Sequence, residues 1–247
     1  MLWKAFDRRL AAQEKQFAPL IKKYLREQAD RIAKRYEAGA PVSKLMDIEA
    51  ETAAYIKRFF PFYERAFRLA GTAGLHATQG KVWDPSEEGK AKGFEPTPKQ
   101  LEKLRAQIEK SAKYFNTTTF DVVKVSVELG VTENLTTQGV SQSIRDTLDS
   151  RAPWESRRIA STEMTRTDGW GATEGYKENP DVDMKGWNCQ MLDTSREDHI
   201  EADGQEVRVD DDFEVGGEAL AYPGDHRASA WNVCNCRCST YPVVGQY

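Results

Sequence analysis

Helical periodicity organises the first 180 residues of this chain and stops at Asn179-Pro180. Upstream, apolar residues recur three and four apart: Leu2, Phe6 and Leu10, then Phe17, Leu20, Ile21, Tyr24, Leu25, Ile32 and Tyr36. That spacing lines one face of a helix. Downstream, Gly, Pro and Asp become frequent, and only short strand-like pieces remain, at 184–188, 206–209, 219–222 and 238–243. The expected fold is therefore α+β, a mostly helical N-terminal body followed by a small loop-rich β module at the C-terminus.

Punctuation within the helical part follows proline and the capping residues. Pro19 has no amide to donate and is expected to kink the first helix or to start a second. Ala38-Gly39-Ala40-Pro41 ends that segment, and Ser43 is placed to cap a helix reaching Phe60, with Leu45, Ile48, Tyr55, Ile56 and Phe59 inward. Phe60-Pro61 should break or bend the chain before a helical stretch over 62–75. Pro and Gly crowd residues 84–97, which read as a long loop. Thr97-Pro98 then looks like the N-cap and first residue of a helix reaching Phe115. Val123, Val125, Val127 and Leu129 alternate like a strand inside an otherwise helical region, so 120–129 is ambiguous. Ser141 is expected to cap a short helix carrying Ile144 and Leu148, and Pro153 to open the next. The organisation expected is 1–97, 98–180 and 181–247.

Composition bounds the function classes. A chain of 247 residues with 39% apolar and 30% charged residues can bury a core. No apolar run approaches the roughly 20 residues that span a bilayer, and no signal peptide is visible at the start, so synthesis in the cytoplasm is expected. The net charge of −4 is unevenly spread: residues 1–40 hold ten Lys/Arg against five Asp/Glu, and 193–218 hold eleven Asp/Glu against two Arg. The first stretch reads as a basic arm, or as an ordinary solvated helix face; as an arm, its removal should weaken partner binding more than folding. An acidic chain is a poor candidate for sequence-independent DNA binding, which rests on neutralising phosphates.

Three of the four cysteines fall within five residues, Cys234, Cys236 and Cys238. A disulfide framework would be spread along the chain, so the cluster reads as metal ligands or as a small local core. Thiolate and neutral imidazole are the usual ligands of zinc. Cys236 and Cys238 with His199 would tie the end of the β module to its middle, and Asp193, Cys189 or Cys234 would supply a fourth ligand. Cys236 and Cys238, two residues apart, share one face of a straight strand but sit roughly 6.6 Å apart along it, so both thiols reach one metal only in a bend or knuckle. In the alternative, the cysteines pack the module while Asp193, Arg196 and Arg237 form an ion-pair network, Arg237 pairing with Asp193 or Glu163. Asp210-Asp211-Asp212 lacks the alternation of a calcium loop and reads as a solvated turn. His76 and His226 are not expected to be ligands, and Trp154, Trp170, Trp187 and Trp231 read as core or interface anchors.

Read in order, Arg158 to Arg166 around Glu163, Trp187-Asn-Cys with Asp193-Thr-Ser-Arg196-Glu-Asp-His199, Tyr222-Pro-Gly-Asp225, and Asn235-Cys236-Arg237-Cys238 resemble the phage Mu F-like minor head protein family. The resemblance covers roughly residues 100–243. It implies a low-copy minor capsid protein of a tailed bacteriophage, made in the host cytoplasm and carried in the virion. The implied partners are the portal protein and the major capsid or scaffolding proteins, with packaged DNA a further candidate and no membrane. The role implied is in head assembly and in DNA packaging or ejection. Some members carry a toxin-like enzyme domain behind this region; with Tyr247 nine residues past Cys238, none is expected here. No phosphate-binding glycine loop or nucleophile elbow is present, and the expectation is a structural protein rather than an enzyme. A cysteine- or zinc-dependent hydrolase built on His199 with Cys236 or Cys189 is the alternative.

Overall fold

The computed structural model describes residues 2–84 and 93–245. Four long helices come first, α1 (Leu2–Glu37), α2 (Ile48–Ala77), α3 (Pro98–Thr132) and α4 (Thr137–Tyr176). A short 3-10 turn over Val42–Lys44 separates α1 from α2. The remainder alternates short pieces: β1 (Val182–Asn188), α5 (Glu197–Glu201), β2 (Glu206–Arg208), β3 (Phe213–Val215), β4 (Glu218–Leu220), α6 (Ala230–Val233) and β5 (Ser239–Val244). The helical body and C-terminal β module expected from the sequence are therefore present. Much of the expected loop over 84–97 lies outside the described residues. No described helix is long and apolar enough to cross a membrane.

No helix starts at any of the three prolines: of the alternatives expected at Pro19 and Pro61, a break or a bend, the break is absent, and Pro153 does not open a new helix. Pro19, Pro61 and Pro153 all lie inside continuous helices. In each case the residue four back, whose carbonyl loses its amide partner, is exposed: Lys15, Lys57 and Asp149. Water can take up a free carbonyl on an exposed face, so the break is not enforced. Likewise Ser141 does not start a helix. The α4 N-terminus is capped by Thr136, whose hydroxyl accepts the Gly139 amide at 3.1 Å, and Ser141 is buried one turn further on.

The chain divides into two compact units. One comprises Gln16–Phe60 and Glu102–Ile159. Its core joins Ala29, Ile32 and Ala33 of α1 to Leu45 and Met46, to Val123 and Val127 of α3, and to Val140, Ile144 and Leu148 of α4. This resolves the ambiguity over 120–129. Val123 and Val127, one turn apart, face the core, while Val125 and Leu129 are exposed, so both helix faces are apolar and the pattern imitates a strand. Phe17, Tyr24, Tyr55, Phe59 and Phe115 form an aromatic cluster, with Phe17 and Phe59 edge to face at 5.5 Å. Beside it, the buried Glu51 accepts from Arg31 at 2.6 Å, and from Gln28 and Tyr24 at 3.1 Å. Burial opposes its ionisation, but the Arg31 guanidinium and these hydrogen bonds hold its carboxyl below the usual range.

The other unit comprises Met1–Lys15, Pro61–Leu101 and Ala160–Tyr247. Residues 161–173 of α4 are buried without interruption, polar ones included, so this stretch has no solvent face and no amphipathic signature. It meets α2 through small residues. A Cβ on Gly175 would lie 2.0 Å from the Gly71 carbonyl oxygen, and one on Gly74 would lie 2.3 Å from that of Ala172. Because the obstacle is backbone, Gly175→Ala is expected to force the helices apart and lower unfolding free energy by roughly 2 kcal/mol or more. Urea denaturation checks this; an unchanged midpoint would show that the contact relaxes freely.

The β module lies in this unit. β1 is central in an antiparallel sheet of order β2-β1-β5, pairing Gly186 with Glu206 on one side and with Tyr241 on the other. β3 and β4 form a separate hairpin. Its turn, Gly216-Gly217 with φ of +57° and +75°, suits the left-handed geometry of a tight two-residue connection. The opening of α1 is part of this unit and is not a detachable arm: Phe6 and Leu10 are buried, and Ile21 and Ile32 further along are buried in the other unit. Deleting residues 1–36 would therefore remove buried residues from both units, which weighs against the expectation that partner binding would suffer more than folding.

Candidate metal centre

Three segments of the β module converge on one buried cluster. β1 delivers Trp187, which has no exposed surface, and then Cys189. The one-turn helix α5 follows, opened by Arg196 in an extended conformation, and it carries His199 inward. α6 is capped by Ser229, whose side chain accepts from the Asn232 amide. It leads into Cys234-Asn235-Cys236-Arg237-Cys238. Asn235 has φ of +54°, a left-handed residue that turns the chain between Cys234 and Cys236. The Cys238 amide donates to the Cys236 thiol sulfur at 3.4 Å, which closes the knuckle.

His199, Cys236 and Cys238 place their ligand atoms within 4.8 Å of one another, all three residues buried. His199 Nδ1 lies 3.3 Å from the Cys238 sulfur and 3.6 Å from that of Cys236. Zinc bonds of about 2.3 Å to sulfur and 2.0–2.1 Å to nitrogen, in a tetrahedron, put N···S edges at about 3.5 Å. The observed separations fit that figure. The other ring nitrogen, Nε2, lies 3.0 Å from Asn232 Oδ1. An amide oxygen only accepts, so Nε2 carries the proton and the Nδ1 lone pair faces the thiols. Asn232 is itself held by donating to the Val215 carbonyl and the Glu218 carboxylate, both at 2.9 Å. Such an outer hydrogen bond, fixing tautomer and ring orientation, is the usual support of a metal-binding histidine. Trp187 adds its ring edge-on to the imidazole at 5.9 Å.

The electrostatics point the same way. A hydrogen bond from Cys238, together with one from His199, holds the Cys236 thiol below the usual thiol range, while its bond to Cys236 and its burial push Cys238 above it. Burial pulls His199 down, but its hydrogen bonds with Cys236 and Asn232 outweigh that and raise it. The site thus favours one thiolate, and a second becomes accessible when a cation takes the protons' place.

The structure separates the other expected site residues. Asp193 is exposed in the turn before α5 and belongs neither to the metal cluster nor to an ion pair with Arg237. Arg237 instead makes a two-pronged bond to Glu14 of α1, at 2.6 and 2.8 Å, across 223 residues of sequence. Glu163 pairs with Arg166 at 2.6 Å, and Arg166 also donates to the Gly224 carbonyl at 2.7 Å. Gly224 has φ of +80°, and a Cβ there would press on the Arg166 backbone at 3.1 Å, which accounts for glycine in Pro223-Gly224-Asp225. Arg196 donates to the Cys234 carbonyl at 2.7 Å and lies 5.4 Å from the Trp231 ring centre. Cys234 is half-buried and outside the ligand group. Trp170 and Trp187 are core residues, whereas Trp154 and Trp231 are exposed.

Sequence reasoning missed Glu14 and Asn232, since neither has a local signal for its role. It also missed the seat of the knuckle on α4. Thr165 donates to the Cys236 carbonyl at 2.8 Å, and the Asn235 amide donates to the Thr162 hydroxyl at 3.1 Å. The Asp-rich turn is not a cation site: Asp210 pairs with Lys177 and Asp212 with Arg227. His226 sits 3.6 Å from Asp225.

Residues 121–241 match the family described as Phage Mu protein F like protein. YqbB of Bacillus subtilis (strain 168), an uncharacterized protein, is 26% identical over 140 residues, which are 55% of this chain and 46% of YqbB. The NAD(+)–arginine ADP-ribosyltransferase EFV of Enterococcus faecalis (strain ATCC 700802 / V583) is 36% identical over 90 residues, 35% of this chain and 18% of that protein. The chain thus spans less than half the length of these relatives. No solved structure matches it. The matched segment runs from within α3 through the knuckle into β5, and over that segment the chain belongs to the phage Mu protein F like family.

Proposed function

We propose that this protein is a minor capsid protein of a tailed bacteriophage, carried at low copy in the head and working in head morphogenesis. The observation that carries this reading is the family match over residues 121–241, which encloses the buried knuckle and the helix on which it rests. On this reading the chain docks at the portal vertex or the capsid interior and assists DNA packaging or ejection. The His199, Cys236 and Cys238 cluster holds zinc, as the two soft sulfurs and one imidazole favour. The metal fixes the docking module and takes no part in a reaction. One observation favours a hydrolase, the His199–Cys236 contact; against it, both side chains are only 2% exposed, where substrate has no access.

The test is peptide mass spectrometry of gradient-purified heads, with and without portal, from the genome that carries this gene. The expected result is a low-copy component that is lost when the portal is removed. Its absence from both precursor and finished heads would remove the structural role and bring the hydrolase forward.

A further inference from the structure

We infer that Cys189 is the fourth ligand of the metal centre, so that the site is a closed Cys3His structural zinc site with no position left for water or substrate. This rests on the zinc reading above and deepens it. Three observations carry the inference. Cys189 is buried in the same core cluster as Trp187, Cys236 and Cys238. Cys189 is close enough to help push the Cys238 thiol above its usual range, while His199 Nδ1 lies 3.3 Å from the Cys238 sulfur. Its backbone is also fixed independently of the knuckle: the Cys189 amide donates to Asp203 Oδ1 at 2.7 Å, and Gly204 and Gln205 exchange backbone bonds with Trp187, each at 2.9 Å. Those bonds lock the end of β1 to the loop just past α5, which carries His199.

Asp193 is exposed, and Cys234, the cysteine nearest in sequence, is half-buried, directs its carbonyl to Arg196 and is not part of the core cluster. Cys189 also lies outside the group of three whose ligand atoms fall within 4.8 Å, so binding the ion would draw its sulfur inward. Structural zinc sites take four protein ligands, whereas catalytic ones keep a coordination position open. A donor set of three thiolates and one imidazole is complete. Its formation from thiols releases three protons to solvent as zinc enters, and nothing is oxidised or reduced. The bound ion would join the end of β1, α5 and the knuckle, three segments that share only short pieces of sheet.

The experiment uses the full chain, titrated with Zn2+ and with Co2+ as its spectroscopic substitute against a competing chelator, for the wild type, Cys189→Ser, Cys234→Ser and Cys236→Ser. The expected results are one metal per chain and, in Cys189→Ser, an affinity loss beyond the roughly 10–100-fold that an outer-sphere partner costs. The thiolate-to-cobalt absorption should fall by about one third, in step with two thiolates in place of three, while Cys234→Ser matches the wild type. If Cys189→Ser keeps wild-type affinity and spectrum while Cys236→Ser loses metal, Cys189 is not a ligand and the zinc reading stands without it. If the wild type binds no zinc, the zinc reading itself falls and takes this inference with it. Should Cys189→Ser not fold, the 113Cd resonance of cadmium-loaded wild-type protein, whose position reports the number of bound sulfurs, decides between three and two.

Discussion

Cys236→Ser and Cys238→Ser are each expected to unfold the β module and to keep the protein out of assembled heads. Both thiols are buried in the module's core cluster, with at most 3% exposure, and both belong to the cluster that can hold a metal. The loss from placing a hydroxyl in that core alone would be about 1–3 kcal/mol. With zinc binding lost as well, the expected decrease is several kcal/mol, since the binding energy of a structural zinc is folding energy. The Cys236 carbonyl and the Asn235 amide are also the groups that seat the knuckle on Thr165 and Thr162, so its collapse would free the module from α4. Thermal melting with and without a chelator separates the two contributions. Chelation should lower the wild-type melting temperature and leave either serine variant where it already is. Wild-type melting and normal incorporation of both variants would refute the idea of a metal staple.

A comparable loss, independent of any metal, is expected for Arg9→Met. Arg9 forms two hydrogen bonds with Asp168, at 2.6 and 2.8 Å, and the Asp168 side chain has no exposed surface. Burial disfavours the Arg9 charge, but the adjacent Asp168 carboxylate more than offsets it, and the guanidinium is held above its ordinary range. Removing one partner of such a pair leaves a lone charge in the interior, which costs about 3–5 kcal/mol. Replacing both, as in Arg9→Met with Asp168→Leu, should recover most of the loss, because the apolar pair escapes the desolvation that the ions suffer. Urea denaturation of the two single variants and the double variant measures the coupling. A single-variant loss under about 1 kcal/mol would mean that water reaches the site after all.

The parts of this molecule visible in its sequence are those encoded by neighbours. The change at Pro180, the strand pieces 184–188 and 238–243 and the clustered thiols all have local signatures, and the structure places a β module and a buried His-Cys-Cys group there. The need for a knuckle at Cys-x-Cys was also legible, and the bond from the Cys238 amide to the Cys236 sulfur closes it. What was not legible depends on burial and on distant partners. Pro19, Pro61 and Pro153 look like breaks or bends until it is known that the residues four back, whose carbonyls they orphan, are exposed. Val125 and Leu129 imitate a strand because they form a second, exposed apolar face on α3. Arg237 seemed to belong with Asp193 or Glu163 in its own region, and only the fold reveals Glu14 as its partner. β3 is three residues long amid acidic neighbours, too short for alternation to register.

The bonds from the opening turns of α1 to the last third of the chain bear on how this protein is made. Asp7 accepts from Gln190, Arg9 holds Asp168 and Glu14 holds Arg237. During synthesis, this stretch of α1 waits for 159 to 223 further residues before it meets these partners. Contacts this far apart in sequence carry a large loop-closure penalty and form slowly. Until they form, the apolar stripe of α1 around Phe6 and Leu10 stays open to chaperones and to other nascent chains. A fragment cut to the family-matching segment alone would lack the stretch of α1 that bonds to Asp168, Gln190 and Arg237.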